Sequence, residues 1–170
     1  MYQHILVALD GSETSARALE AALRLARESG AELQPLYVVD VPVVAYDAPG
    51  FDPGIIRDAF MEDGKKLADD ALSRMQHDNV RGTPRIVETN LARDDSDIAH
   101  AILHAAAEFR ADLVVMGTHG RRGVRRLMLG SVAERFLHLA QCPVLLIPEH
   151  AAPDTGVSEG EVPVRKRAFS

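Results

Sequence analysis

Residues 5–9, Ile-Leu-Val-Ala-Leu, are apolar without a break and run straight into Asp10-Gly11-Ser12, after which Ala16, Leu19, Leu23 and Ala26 recur at helical spacing. This junction limits the possible folds more than any other feature. A strand with one wet face alternates polar and apolar residues; a strand with no polar position is buried on both faces, as in a parallel sheet covered by helices. Ser12 fits an N-cap and Gly30 a helix stop. The same succession repeats along the chain. A second strand is expected over 33–39, then a helix opened by Asp52-Pro53 with Ile56, Phe60, Leu67, Ala71 and Met75 on one stripe, ending near Asn79. Gly64 weakens that helix. A third strand is expected over 84–89, a helix from Asp97 with Ile98, Ile102, Ala105 and Phe109 inward, and a fourth strand over 113–116. The last helix starts at Ser131 with Val132, Phe136 and Leu139 on its stripe, Ser131 and Glu134 reading as a capping box, and a fifth strand follows over 143–147. Residues 41–54, with three prolines and no helical period, read as a long loop of the kind that serves as a lid.

Strict strand-helix alternation with right-handed crossovers implies an α/β fold, an open doubly wound five-stranded parallel sheet with helices on both faces. In such sheets the ligand lies beyond the carboxyl ends of the strands, where chain direction reverses. With 170 residues, 46% of them hydrophobic, the chain suffices for one domain, taken as 1–149. Residues 150–170 have too little apolar content to pack and read as a flexible tail.

A formal charge of −6 disfavours a general nucleic-acid or anionic-membrane surface, so a phosphate ligand needs a local site. Cys142 is the single cysteine, the first residues lack the pattern of a secretory signal, and no apolar run approaches a membrane span, which together lead to the expectation of a cytoplasmic protein without membrane insertion.

A local site is present in the sequence. Val114-Val115-Met116-Gly117-Thr118-His119-Gly120 is followed, after nine residues, by Gly130-Ser131 at the head of a helix. Gly117 and Gly120 let backbone approach an anion without a Cβ in the way, while the helix start at Ser131 and Val132 offers free N–H groups and the positive end of a dipole. Arg121, Arg122, Arg125 and Arg126 lie between. The Walker-type lysine loop and the dinucleotide glycine fingerprint are both missing.

This spacing, glycine, two residues, glycine, nine residues, glycine, serine, resembles the motif of the universal stress protein family in its ATP-binding branch. The opening ILVALDGSETSARAL, the segment LYVVD and the segment CPVLLIP are similar to that family's first, second and last strands, and the likeness runs from Met1 to Pro148. The resemblance implies an adenine nucleotide alpha hydrolase-like sheet in the order 3-2-1-4-5 with ATP, accompanied by Mg2+, across strands 1 and 4. It further implies that Asp10 holds the adenosine, that Ala8 and Val38 line the adenine pocket, and that Met116, Gly117, His119 and Gly120 contact ribose and phosphates. Gly130, Ser131 and Val132 would take the terminal phosphates. Ala8 departs from the proline that many members carry there. A homodimer through strand 5, an edge in that order, is also implied, together with an unnamed regulatory protein partner.

The function expected is a nucleotide-dependent stress-response or regulatory module, with ATP, ADP and AMP left open as the resident ligand. The alternative is a slow ATP hydrolase on the same site; no paired carboxylates or phosphate-facing lysine accompany the glycines, leaving His119 as the titratable candidate and no residue assigned as catalytic. A phosphorylated receiver domain is excluded, since Asp10 is followed by Gly11-Ser12, the third strand ends Val87-Glu88-Thr89-Asn90 and the fifth ends Ile147-Pro148. Asp97, His100 and His104 lack the glutamate of a zinc-hydrolase helix and are read as a solvated face, with no metal assigned. Cys142, with no activating partner in the sequence, is read as a packed core thiol.

Overall fold

The computed structural model describes residues 1–40, 52–89, 97–118 and 129–148. The elements are β1 (His4–Leu9), α1 (Glu13–Ser29), β2 (Glu32–Val39), α2 (Pro53–His77), β3 (Arg85–Glu88), α3 (Ile98–Phe109), β4 (Leu113–Gly117), α4 (Ser131–Leu139) and β5 (Val144–Ile147). All four strand pairs are parallel and the order is β3-β2-β1-β4-β5, as the resemblance implied.

The unbroken apolar strands divide between two faces. From β1, Ile5, Val7 and Leu9 join Leu33, Leu113 and Val115 beneath Ala18, Leu19, Ala22, Leu23 and Ala26 of α1 and Ala71 and Met75 of α2. Leu6, Leu36, Val114 and Met116 point the other way, against Ala99, Ile102, Ala105 and Ala106 of α3 and Ala133 and Phe136 of α4. Each central strand thus fills two cores, which is why no polar position interrupts it.

The expected helix boundaries hold for α1, α2 and α3. Ser12 accepts the Ser15 N–H, Asp52 accepts the Gly54 N–H, Asp97 accepts the His100 N–H, and Gly30 ends α1 with φ 71°. Gly64, a weak residue for a helix interior, has a packing reason. A Cβ there would lie 2.6 Å from Cδ1 of Tyr37, so the glycine lets α2 settle on β2. Gly82, with φ 138°, has a Cβ position 1.8 Å from the Leu33 carbonyl oxygen and admits no side chain without rearrangement. The long loop expected over 41–54 falls mostly on 41–51, outside the described residues, as do the tail at 150–170 and the segment 119–128. Among the described residues no helix is long and apolar enough to cross a membrane.

One expectation is corrected. Ser131 is not the N-cap of α4: the cap is Gly130, at φ −64° and ψ 148°, with no capping side-chain hydrogen bond. Ser131 is the first helical residue, and Glu134 donates its N–H to the Gly130 carbonyl as an ordinary helical turn at 2.9 Å. Because a glycine cap has no side chain to advertise it, the Ser-x-x-Glu pattern is displaced by one residue.

Candidate functional site

The chain leaves β1 toward β2 in its first half and returns to β4 on the other side of β1 in its second, so a crevice opens beyond the carboxyl ends of β1 and β4. Three groups of residues line this end.

The first is the turn after β1. Asp10 is half-buried, and its Oδ1 accepts the Ser12 N–H at 2.9 Å, shaping the step through Gly11, φ 81°, into α1. Ser12 Oγ in turn accepts the Ser15 N–H. Asp10 therefore helps build the local turn, and its second carboxylate oxygen lies at the same strand end.

The second is an apolar floor. Ala8 and Val38 are half-buried on the sheet face that carries Leu6 and Leu36, and Met116 lies buried on the same face. Val87, directly opposite Val38 in the β2–β3 register, extends the floor onto β3, and Ile98 at the start of α3 packs against the same cluster. The sequence marks Ile98 as inward on its helix, but assigns neither residue to this site. The signal for Val87 is its register with Val38, available only once the β3 pairing is known.

The third is the start of α4. Gly117 pairs with Ile147 across β4 and β5. Thr118 donates its N–H to the Ile147 carbonyl at 2.9 Å, and its own carbonyl accepts the Gly130 N–H at 2.7 Å. That last bond closes the base of the glycine loop and fixes where α4 begins. It also commits the Gly130 N–H, so the amides left without an intrahelical acceptor are those of Ser131, Val132 and Ala133. The described α1, α2 and α3 each bring a side-chain oxygen to this position; α4 brings none. Such an end supplies N–H donors and positive dipole potential to an anion. His119, Gly120 and the four loop arginines lie outside the described residues.

Beside this end stands a polar knot. Asp97 Oδ1 takes the His100 N–H at 2.9 Å and lies 3.2 Å from His100 Nδ1, while Oδ2 accepts Arg135 Nε of α4 at 2.8 Å. Partial burial pushes the Asp97 carboxyl up, but the His100 N–H and ring and the Arg135 guanidinium together outweigh it and hold the group below the ordinary aspartate range. His104 is exposed as expected, whereas the His100 side chain, only 18% exposed, is drawn onto Asp97. Cys142 is half-buried and packs against the second core; burial, aided by the Asp112 charge, raises its thiol, the direction of an inert cysteine. On the far rim, Arg57 forms a two-pronged pair with Glu88 at 2.7 and 2.8 Å, holding that carboxyl below its usual range, and Thr89 Oγ1 donates to Asp40. A polar groove of about 460 Å3 at the opposite end of the sheet includes His4, Ser29, Gly30, Glu32 and Arg81. It adjoins the carbonyl end of α1, the wrong polarity for a phosphate.

The family model described as "Universal stress protein family" matches residues 1–148. A universal stress protein of Methanocaldococcus jannaschii is 35% identical over 155 residues, spanning 86% of this chain and 82% of the relative. The crystal structure of a protein from the universal stress protein family of Burkholderia pseudomallei superposes with a TM-score of 0.72 at 48% identity, over 86% of this chain and 96% of that one. The universal stress protein from Archaeoglobus fulgidus in complex with dAMP has the same fold, with a TM-score of 0.61 at 24% identity over 86% and 98% of the two chains.

Proposed function

The chain belongs to the universal stress protein family, and from that premise we propose that it binds an adenine nucleotide, ATP with Mg2+ in the first instance, and acts as a nucleotide-dependent regulatory module. The observation that carries this reading is the open start of α4 beside the last residue of β4. Three amides lacking helical acceptors stand where the glycine spacing puts a phosphate chain, one strand away from an apolar floor that suits a base. The dAMP bound by the Archaeoglobus fulgidus protein supports the adenine class.

In this assignment Ala8 and Val38 flank the base, with Val87 extending their surface, and Asp10 accepts from the ribose. Met116 and Gly117 border the ribose and first phosphate with His119 and Gly120. The amides of Ser131 and Val132 hold the terminal phosphates, and Gly130 serves by lacking a Cβ rather than as a donor, since its N–H is taken by Thr118. The Asp10 carboxylate is engaged in the α1 turn, which favours binding over hydrolysis. The domain is residues 1–149, the setting is the cytoplasm, and a regulatory protein reads the occupied state. A homodimer through β5 fits the fold, because β5 is an edge strand and Leu145 stands exposed on it.

The deciding experiment is mass analysis of nucleotide released on denaturing the purified protein, with calorimetric melting in Mg-ATP. Ligand at about 100 times its Kd raises stability by about 2.7 kcal/mol. Gly130→Val removes that gain while the ligand-free melt stays cooperative; an equal gain in both proteins sinks the assignment. Light scattering on Leu145→Lys tests the dimer, which is refuted by a wild type that is monomeric.

A further inference from the structure

α4 is short: Ala133 and Phe136 seat it on the core, while Ser131 and Glu134 are exposed and its cap makes no side-chain hydrogen bond. Two contacts locate its start: the Gly130–Thr118 backbone bond on the sheet side, and the Asp97–Arg135 pair on the side of α3. The second involves a carboxylate already at work. One Asp97 oxygen closes the N-terminus of α3 through the His100 N–H, and the other receives Arg135 Nε one turn into α4. The two helices otherwise meet through an apolar cluster that includes Ile102, Ala105, Ala133 and Phe136, and apolar contact is not directional, so a polar pair can set the rotation of one helix against the other. A bond anchored at a helix cap on one side and a guanidinium on the other is such a pair.

We propose that Asp97 is a positioning residue for the nucleotide site: through Arg135 it fixes the rotation of α4, and so aims the free amides of Ser131, Val132 and Ala133 at the end of β4. This rests on the nucleotide reading above. It also assigns Arg135 to Asp97 rather than to the phosphates, although Arg135 lies only one turn from the open helix end.

Asp97→Asn separates the two tasks of the side chain. Asparagine keeps a carbonyl oxygen for the cap but gives up the charge that holds Arg135. The Arg135 side chain is 59% exposed and that of Asp97 31%, so the expected effect is modest, a two- to fivefold loss of affinity, as is usual for pairs of about this exposure. Titration of Asp97→Asn, Arg135→Gln and the double variant with Mg-ATP and with adenosine reads it. Each single variant weakens Mg-ATP and leaves adenosine unchanged, and the double variant is no weaker than either single one. Hydrogen exchange on the ligand-free proteins shows faster exchange at residues 134–139 in all three variants. Tighter Mg-ATP binding by Asp97→Asn means that Arg135 has been freed to reach the phosphates, and overturns the proposal. So does an equal loss for adenosine and Mg-ATP, or exchange in α4 that matches wild type. A wild type that binds neither ligand refutes the nucleotide reading and with it any aiming of the amides, while the exchange arm alone still decides whether Asp97 holds α4.

Discussion

α3 and α4 lie side by side on one face of the sheet, and they begin in opposite ways. α3 opens under a carboxylate: Asp97 accepts the His100 N–H and complements the helix dipole with a full negative charge. α4 opens on Gly130, with no side-chain acceptor and its own cap N–H drawn back to Thr118. α1, α2 and α3 each satisfy one of their first amides with a side-chain oxygen of their own cap; α4 does not. The contrast separates a helix end closed by its own side chain from one left open, the end at which we propose that the nucleotide binds.

The contrast breaks most completely if α4 is given what α3 has. Gly130→Asp places a carboxylate at a cap with extended backbone angles that any residue adopts. Its ligand-free stability should rise by a few tenths of a kcal/mol, and the gain of about 2.7 kcal/mol from saturating Mg-ATP should vanish, read as a melting shift. A variant that keeps the full shift shows that α4's first turn is not where the phosphates sit. The reverse change, Asp97→Ala, strips α3 of its cap and should cost about 1 kcal/mol in urea unfolding.

Acid should erase the difference without mutation. The folded-state carboxyl of Asp97 lies below that of the unfolded chain, so its contribution is fully present above the unfolded value and is lost as pH falls through the folded one. Between neutral pH and about pH 3 the urea midpoint of wild type should therefore fall further than that of Asp97→Asn; parallel curves would mean the pair stores no acid-sensitive stability. The smallest effect is the most pointed. Ser131→Ala, at the first helical residue rather than the cap, should change ligand-free stability by only a few tenths of a kcal/mol, against the larger loss at Asp97. A loss near 1 kcal/mol would make Ser131 a capping residue after all.

Much of the architecture was legible because burial on two faces leaves a plain mark: the runs at 5–9 and 113–116, short and bounded by turn residues, have the pattern of covered parallel strands, and Asp52-Pro53 and Asp97 announced their helices. The strand order came with the family resemblance rather than from the apolar pattern, which says that a strand is covered but not beside which neighbour. The start of α4 was misread by one residue because a serine carries a visible capping signal and a glycine carries none. The Asp97–Arg135 pair joins residues 38 positions apart on separate helices, and no local period reports such a contact. Gly64, a weak residue for a helix interior, is explained only by the Tyr37 ring of a separate strand, which no pattern within α2 reports. On the apolar floor, Ala8 and Val38 came with the family resemblance, while Val87 needed the β2–β3 register.

The placement of β1 between β2 and β4 has a consequence during synthesis. Ile5, Leu6 and Val7 pair on one side with residues 33–35, made shortly afterwards, and on the other with residues 113–115, made more than a hundred residues later. A ribosome that has released the first three strands has therefore produced a sheet in which the fully buried residues of β1 still have a bare edge. At about 5–20 residues per second that edge stays open for about one to five seconds. The centre of the finished molecule is thus, for part of its assembly, an open apolar border, and the arrival of β4 both closes that border and brings Gly117 to the crevice.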